Sequence, residues 1–467
     1  DRLLWLLRFR APNLPKHQIG LSARGGTHAV ALVKQASGRV SFIKVPRRHR
    51  AHNTIRPRLC MLCKYSKVGG LNLIEKSFAA FRWLMQRVVP TAARRSSALL
   101  VGAARHRGVI SAADFVQNDT CNVPNVTIAM GSEPPASLPD PYALVQHELR
   151  SLDSSISEVI GSNHPVLAAA ASHFFELAGK RFRPTLVHLA SMAAGAPADT
   201  RQKRLAEIAE IIHAAALLHD DVTDLAEQRR GVRAAQKVYG NKVAVLAGDF
   251  LLARASVQLA RLNDCRVVEM IATVIEERVH GEVMHASALP HERLNLDFYL
   301  RKTFRRRAAL MSTSCEAAAI LGGHEPGSAT AGALKEYGRH LGISYQLVDD
   351  ILDFEKSSAD AMAAKPALDD GGGVGLATSA AALATAPVLF AAEEHPQICE
   401  MATRRFGEEG DVAALAQLVA SSHGVRRAKE MAEVHARRAA ESLGALKPSA
   451  ARDGLLRLCF EVLSRRS

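Results

Sequence analysis

The sequence predicts an all-α protein, a bundle of many helices around one central cavity. From Asp140 onward, apolar residues recur at helical spacing, and neither strand alternation nor hairpin turn pairs occur. Ala and Leu outweigh the aromatics, which make up 5% of the 467 residues. The pentad D-D-x-x-D occurs twice, each time inside an apolar helical run, so two acidic patches can face each other across a cavity.

Residues 1–138 stand apart from this body. They hold 22 Lys and Arg against 5 Asp and Glu, and the remainder holds 38 against 41. The formal charge of +14 therefore belongs to the leader, which removes the case for a nucleic-acid-binding body. Arg-rich, acid-poor leaders have the composition of organelle transit peptides. The expectation is a basic leader and linker, disordered rather than folded, over 1–138 and a helical domain over 139–467. The Pro-rich patch from Glu133 to Pro141 marks the boundary. The seven cysteines are odd in number and scattered, which disfavours a disulfide framework, and Cys60 and Cys63 form a lone C-x-x-C. No uninterrupted apolar run reaches the roughly 18–20 residues that span a membrane.

Along the body, Pro141 opens a helix carrying Leu144, Val145, Leu149 and Leu152, and a second runs from about His164 to Leu177. Pro184 then opens an apolar helix through Leu186, Leu189 and Met192. Helices are expected at about 201–224, 242–262, 267–288, 294–321, 330–354 and 378–395, with more beyond 411.

The helix at about 201–224 carries the first pentad, Asp220, Asp221 and Asp224. At about 100° per residue, His213, Asp220 and Asp224 share one stripe, with Asp221 a quarter-turn to the side. Three carboxylates so close repel one another unless a cation bridges them. Hard oxygen ligands of this kind suit Mg²⁺. Arg229 and Arg230 follow, supplying the fixed positive charge a polyphosphate needs on the side a metal leaves open. The second pentad, Asp349, Asp350 and Asp353, lies 129 positions on, and Gln346 shares its face.

With these two pentads the chain resembles the trans-polyprenyl diphosphate synthases, most nearly the long-chain solanesyl and decaprenyl synthases of ubiquinone synthesis. The resemblance covers roughly 139–467 and implies an isoprenoid-synthase-like helical bundle. It implies a prenyltransferase that condenses an allylic diphosphate with successive isopentenyl diphosphates, with Mg²⁺ held by all six aspartates. Gly179-Lys180-Arg181-Phe182-Arg183-Pro184 matches the family's G-K-x-x-R-P, which implies that Lys180 and Arg183, with His213, hold the isopentenyl diphosphate. Arg229 is then expected at the allylic diphosphate and Arg230 at the isopentenyl one. Lys365 matches the lysine that follows the second motif, although Ala364 replaces a Gly. Ala215 and Ala216, one turn before Asp220, leave the floor open to a long product where short-chain relatives place bulky aromatics. Further implications are a homodimer or heteromer, membrane association for product release, and a mitochondrial location, with plastid as the alternative.

The chain departs from the family pattern at three places. The usual K-T-x-x-K-T-A reads Lys302-Thr303-Phe304-Arg305-Arg306-Arg307-Ala308, so Arg306 stands at a diphosphate-binding lysine and Arg307 at a threonine. His285 stands where a Gln is usual, and Asp369 to Leu383 is a Gly-rich insertion. Two other classes compete. A terpene cyclase should lack the isopentenyl site and the second pentad. A non-catalytic or partner-dependent subunit of a heteromeric synthase should lose aspartates.

Overall fold

The structure is a computed structural model describing residues 19–22, 28–34, 40–46, 128–161, 164–175, 181–196, 199–229, 231–363, 385–404, 406, 408 and 410–465. Lys180, Arg230 and Lys365, the Cys60–Cys63 pair and the 369–383 insertion lie outside them. The chain divides into two compact units, residues 1–67 and 68–467.

In the first unit, β1 (Ile19–Ser22), β2 (His28–Lys34) and β3 (Val40–Pro46) form an antiparallel sheet in the order β1-β2-β3. Ala31 lies opposite Leu21 on one side and Ile43 on the other. This corrects the expectation that the leader carries no element. Val30, Val33, Val40, Ile43 and Val45 have high β-propensity, but Ala29 to Val33 is a continuous apolar run without the alternation by which a strand is recognised.

The second unit is helical. Its main helices are α1 (Phe182–Ala193), α2 (Thr200–Thr223), α3 (Asn241–Arg261), α4 (Cys265–Ser287), α5 (Leu296–Thr303), α6 (Ala309–Leu321), α7 (Ala329–Ala363), α8 (Ala386–Glu394), α9 (Gly424–Ser442) and α10 (Ala450–Leu463). The single helix expected over 294–321 is two, α5 and α6, joined by a π-helical turn, Phe304–Ala308. A hairpin of two-residue strands, β4 (Gln228–Arg229) and β5 (Val232–Arg233), also interrupts the helical pattern, and strands this short leave no alternation to read.

Helix α2 is the axis of the bundle. Asp199 caps it by accepting from the backbone N–H groups of Arg201 and Gln202. From Leu205 to Leu218 nearly every residue is buried, as expected of a helix surrounded on all sides. It packs on α1 and α3, while α7 packs on α6 and α9. Helix α3 is long and apolar enough to cross a membrane, yet 56% of its apolar window is buried inside the protein. Tyr337 of α7 is fully buried, and its hydroxyl donates to Leu455 O of α10 at 2.7 Å. Ile128 and Leu138, ahead of the expected boundary at 139, are also buried in this core. Met130 N donates to Glu433 Oε1 at 2.8 Å.

The π turn is positioned by backbone approaches too close for side chains. A Cβ on Gly281 of α4 would lie 2.8 Å from Arg306 Cγ, and one on Gly342 of α7 would lie 2.7 Å from Ala308 Cα. Backbone on the far side of Gly342 has nowhere to retreat. Gly342→Ala is therefore expected to destabilise the protein by about 1–3 kcal/mol through overpacking. Urea unfolding measures this, and an unchanged midpoint would show that the π turn does not press tightly on Gly342 of α7.

Candidate active site

Helix α2 ends on its acidic residues. Asp220 and Asp221 occupy its last turn, and Asp224 is the C-cap, its N–H donating to Asp220 O at 2.8 Å. Carboxylates are unfavourable there, because the unpaired carbonyls already place partial negative charge at that end. Both in-helix carboxylates are also buried, Asp220 with 2% and Asp221 with 3% of its surface exposed. Such groups need cations, and the protein supplies arginines.

Arg278 of α4 donates through Nη2 to Asp220 Oδ1 at 2.6 Å, and Arg307 Nη1 lies 3.3 Å from Asp220 Oδ2. Burial by itself would raise the Asp220 carboxyl, but Arg278, Arg307 and Arg306 together hold it well below the usual range. Arg229 reaches back from β4 to clamp Asp221, with Nε at 2.7 and 2.9 Å from its two oxygens. Burial and then the charge of Asp220 push the Asp224 carboxyl up. Arg306 donates through Nε to Glu282 Oε1 at 2.7 Å.

The second pentad sits on α7. Asp350 is buried and accepts from Tyr299 OH at 2.8 Å, Gln346 Nε2 at 2.8 Å and Ala386 N at 3.2 Å. Burial pushes its carboxyl up even so. Asp349 accepts from Arg465 Nη1 at 2.6 Å, and that guanidinium stacks over the Tyr345 ring at 4.0 Å. Asp353 is exposed. Lys302, one turn after Tyr299, is pushed down to about 8 by burial, with Asp350 opposing the shift. Burial, followed by the charges of Arg306 and Lys302, pushes His285 down to about 3, so its imidazole is neutral. The stretch from Tyr299 to Arg307 thus runs from the second motif to the first.

Beside the first motif lies a small, narrow cavity. Its polar wall is Arg183, His213, Arg278 and Arg305 to Arg307, and its apolar wall is Ile212, Ala216, Val274, Ile275 and Leu310. His213 also packs edge-on against Phe174, with ring centroids 5.9 Å apart. Among the described residues, Arg183 Nε and Arg306 Nη2 are buried donors without a hydrogen-bond partner. Of the two alanines singled out for product length, Ala216 faces the cavity, whereas Ala215 is buried in the core.

Sequence reading brought Arg183, His213, Arg306 and Ala216 to this cavity. Gln346 is tied to Asp350, and Arg229 to Asp221, rather than turned toward a ligand. Reading missed Arg278, Tyr299 and Arg465. The (i, i+4) pairing of Arg278 with Glu282 was the available signal for the first, and nothing local marks the other two.

Among the described residues no three His, Cys, Asp or Glu side chains converge on a metal-sized point. The donor set nevertheless fits a hard cation. Asp220 Oδ2 is buried and accepts no hydrogen bond, and the three first-motif carboxylates are clustered at one helix end.

Buried carboxylates suited to a metal, with a cavity walled by cations and apolar side chains beside them, meet the needs of an allylic diphosphate. In an all-α bundle this defines the prenyl diphosphate synthases as a class. Residues 164–419 match the polyprenyl synthetase family. The chain is 38% identical over 378 residues to the probable mitochondrial hexaprenyl pyrophosphate synthase of Neurospora crassa, covering 70% of this chain and 82% of that one. It is 41% identical over 329 residues to the mitochondrial solanesyl-diphosphate synthase 1 of rice, Oryza sativa subsp. japonica, covering 66% and 74% respectively. A polyprenyl synthase from Caulobacter crescentus, crystallised with calcium and isoprenyl diphosphate, superposes with a TM-score of 0.61 at 30% identity, covering 70% of this chain and 97% of that one. The chain belongs to the polyprenyl synthetase family, and it is a prenyltransferase. Synthases of this family use allylic and isopentenyl diphosphates and generally depend on a divalent metal.

Arg278 is the structural keystone of the first motif, since it also donates to Arg306 O at 2.6 Å and Ala216 O at 3.4 Å. Arg278→Met is expected to leave Asp220 underneutralised and to cost about 3–5 kcal/mol of stability. Chemical denaturation of the purified variant checks this, and a loss under about 1 kcal/mol would mean that solvent, not Arg278, satisfies Asp220.

Proposed function

We propose that this chain is a long-chain trans-polyprenyl diphosphate synthase that extends an allylic diphosphate with isopentenyl units and supplies the side chain of ubiquinone. The observation that carries the reading is the arginine-walled cavity beside Asp220, with unpartnered buried donors on Arg183 and Arg306. Each such donor costs about 1–3 kcal/mol, a penalty that a bound diphosphate removes.

Asp220, Asp221 and Asp224, with Asp349, Asp350 and Asp353, are the residues that would hold Mg²⁺. When bound there, Mg²⁺ neutralises charge developing on the leaving diphosphate. Arg306 stabilises the same charge from the opposite wall, and Arg229 joins it once released from Asp221. Arg183 and His213, with Lys180 and Arg230, hold isopentenyl diphosphate, and Lys365 adds charge after the second motif. Gln346 keeps the Asp350 carboxylate oriented. Placing both substrates in one cavity makes their encounter intramolecular. The double bond attacks the allylic cation, a carbon–carbon bond forms, and the proton lost afterwards passes to the departed diphosphate. Ile212, Ala216, Val274, Ile275 and Leu310 exclude the water that would quench the cation.

Product length follows from Ala216, whose small side chain leaves the apolar wall open below Asp220. The purified chain alone, given Mg²⁺, farnesyl diphosphate and labelled isopentenyl diphosphate, is expected to make long prenyl diphosphates. Failure to incorporate label would favour the partner-dependent subunit, and a hydrocarbon product the cyclase. Ala216→Phe is expected to shorten the products while sparing the first additions. Ala215→Phe instead overpacks the core at about 1–3 kcal/mol. Chromatography showing identical products from wild type and Ala216→Phe would move the tunnel elsewhere.

The proposed domain is 139–467, with Ile128 and Leu138 packed into its core, acting as a homodimer or heteromer that releases product at a membrane surface. Relatives from Neurospora and rice are named as mitochondrial, and with the basic leader this favours the mitochondrion over the plastid. A fluorescent protein fused behind residues 1–138 is expected to enter mitochondria, and accumulation in plastids or cytosol would overturn the assignment.

A further inference from the structure

The structure sets three arginines, Arg305 to Arg307, on a π turn against the end of α2, and each has different company. Arg305 pairs with Glu277 at 2.8 Å and Arg306 with Glu282 at 2.7 Å. Arg278, the other cation on Asp220, is anchored at several acceptors, including Arg306 O and Glu282. Arg307 differs, because among the described residues its one ion pair is with Asp220. At 3.3 Å to Oδ2 this is a charge contact without a hydrogen bond, and Oδ2 accepts none from any other described residue. The Arg307 side chain keeps 27% of its surface exposed and lines the cavity.

We infer that Arg307 is a displaceable counter-ion that stands in for the divalent cation on Asp220 and thereby weakens metal binding by the substrate-free enzyme. The inference rests on the reading that the first motif holds the metal. The carboxylate oxygen that a cation needs is the one facing the guanidinium. A unit positive charge beside it must either leave or be tolerated when the cation arrives, and at 3–4 Å that repulsion is not negligible even at an effective dielectric constant near 20. Among the described residues no anchor other than Asp220 has to break for Arg307 to leave, and a diphosphate in the cavity it lines would give it a destination. Metal and diphosphate should consequently assist each other's binding, because each removes what opposes the other. A threonine at this position, the residue expected from the family pattern, carries no such charge.

The test is Mn²⁺ binding without any diphosphate, followed by the electron paramagnetic resonance signal of free Mn²⁺. Circular dichroism verifies the fold of each protein. Arg307→Thr and, should that variant fold poorly, Arg307→Gln are expected to bind the first Mn²⁺ at least about tenfold more tightly than wild type. Arg307→Lys, which keeps the charge, is expected to gain less. Equal or weaker binding by a folded Arg307→Thr or Arg307→Gln overturns the inference. Asp220→Asn separates the two possible failures. If it loses Mn²⁺ while the Arg307 variants gain nothing, the first-motif metal site stands and the counter-ion role falls. If it binds Mn²⁺ as wild type does, the metal-site reading fails and the inference falls with it.

Discussion

Everything around the catalytic end of this bundle follows from carboxylates buried at the C-terminus of a helix. Asp220 and Asp221 lie in the last turn of α2, almost without solvent, where the helix's own carbonyls already carry negative charge. An uncompensated carboxylate cannot be kept there. The protein meets the demand with Arg278 on Asp220 and Arg229 on Asp221, both drawn from elements that follow α2 in the chain. The partners that hold the motif are themselves cations, so the charge at this end of the bundle is balanced from within the protein.

The second consequence is architectural. Residues Leu296–Ala308 supply Tyr299 and Lys302 to the second motif and Arg306 and Arg307 to the first. A regular helix repeats every 3.6 residues, and the π turn shifts that phase at the three arginines. Turns of this kind are frequent at functional sites. Gly281 and Gly342 let α4 and α7 approach the turn more closely than any side chain would allow. Rigid packing on both sides holds Arg306 against Glu282 and leaves Arg307 as the more exposed of the two, with 27% of its side-chain surface exposed against 10%.

Much of this was legible in the sequence, because its determinants are local. Helical periodicity gave α2, α3 and α4 to within about three residues of their ends. The two pentads gave the chemistry, since no common structural need puts three carboxylates within five positions of an apolar helix. The charge asymmetry between residues 1–138 and the rest was plain in the sequence, but the compact units divide between Lys67 and Val68, and Ile128 and Leu138 belong to the helical core. Substitution of Arg307 for a threonine was visible as a departure, although its meaning was not.

What only tertiary structure decided are the pairings between residues far apart in the chain. Arg278 meets Asp220 across 58 positions, Arg465 meets Asp349 across 116, and Tyr299 meets Asp350 across 51. No spacing rule reaches that far. The split of one expected helix by a π turn depends on crowding from α4 and α7, and the sorting of Ala216 to the cavity and Ala215 to the core depends on which neighbours surround α2. A sequence records which residues can carry a charge or turn a helix. Which carboxylate faces which cation is set by how the helices pack, and in this protein that choice places Arg307 beside the buried Oδ2 of Asp220.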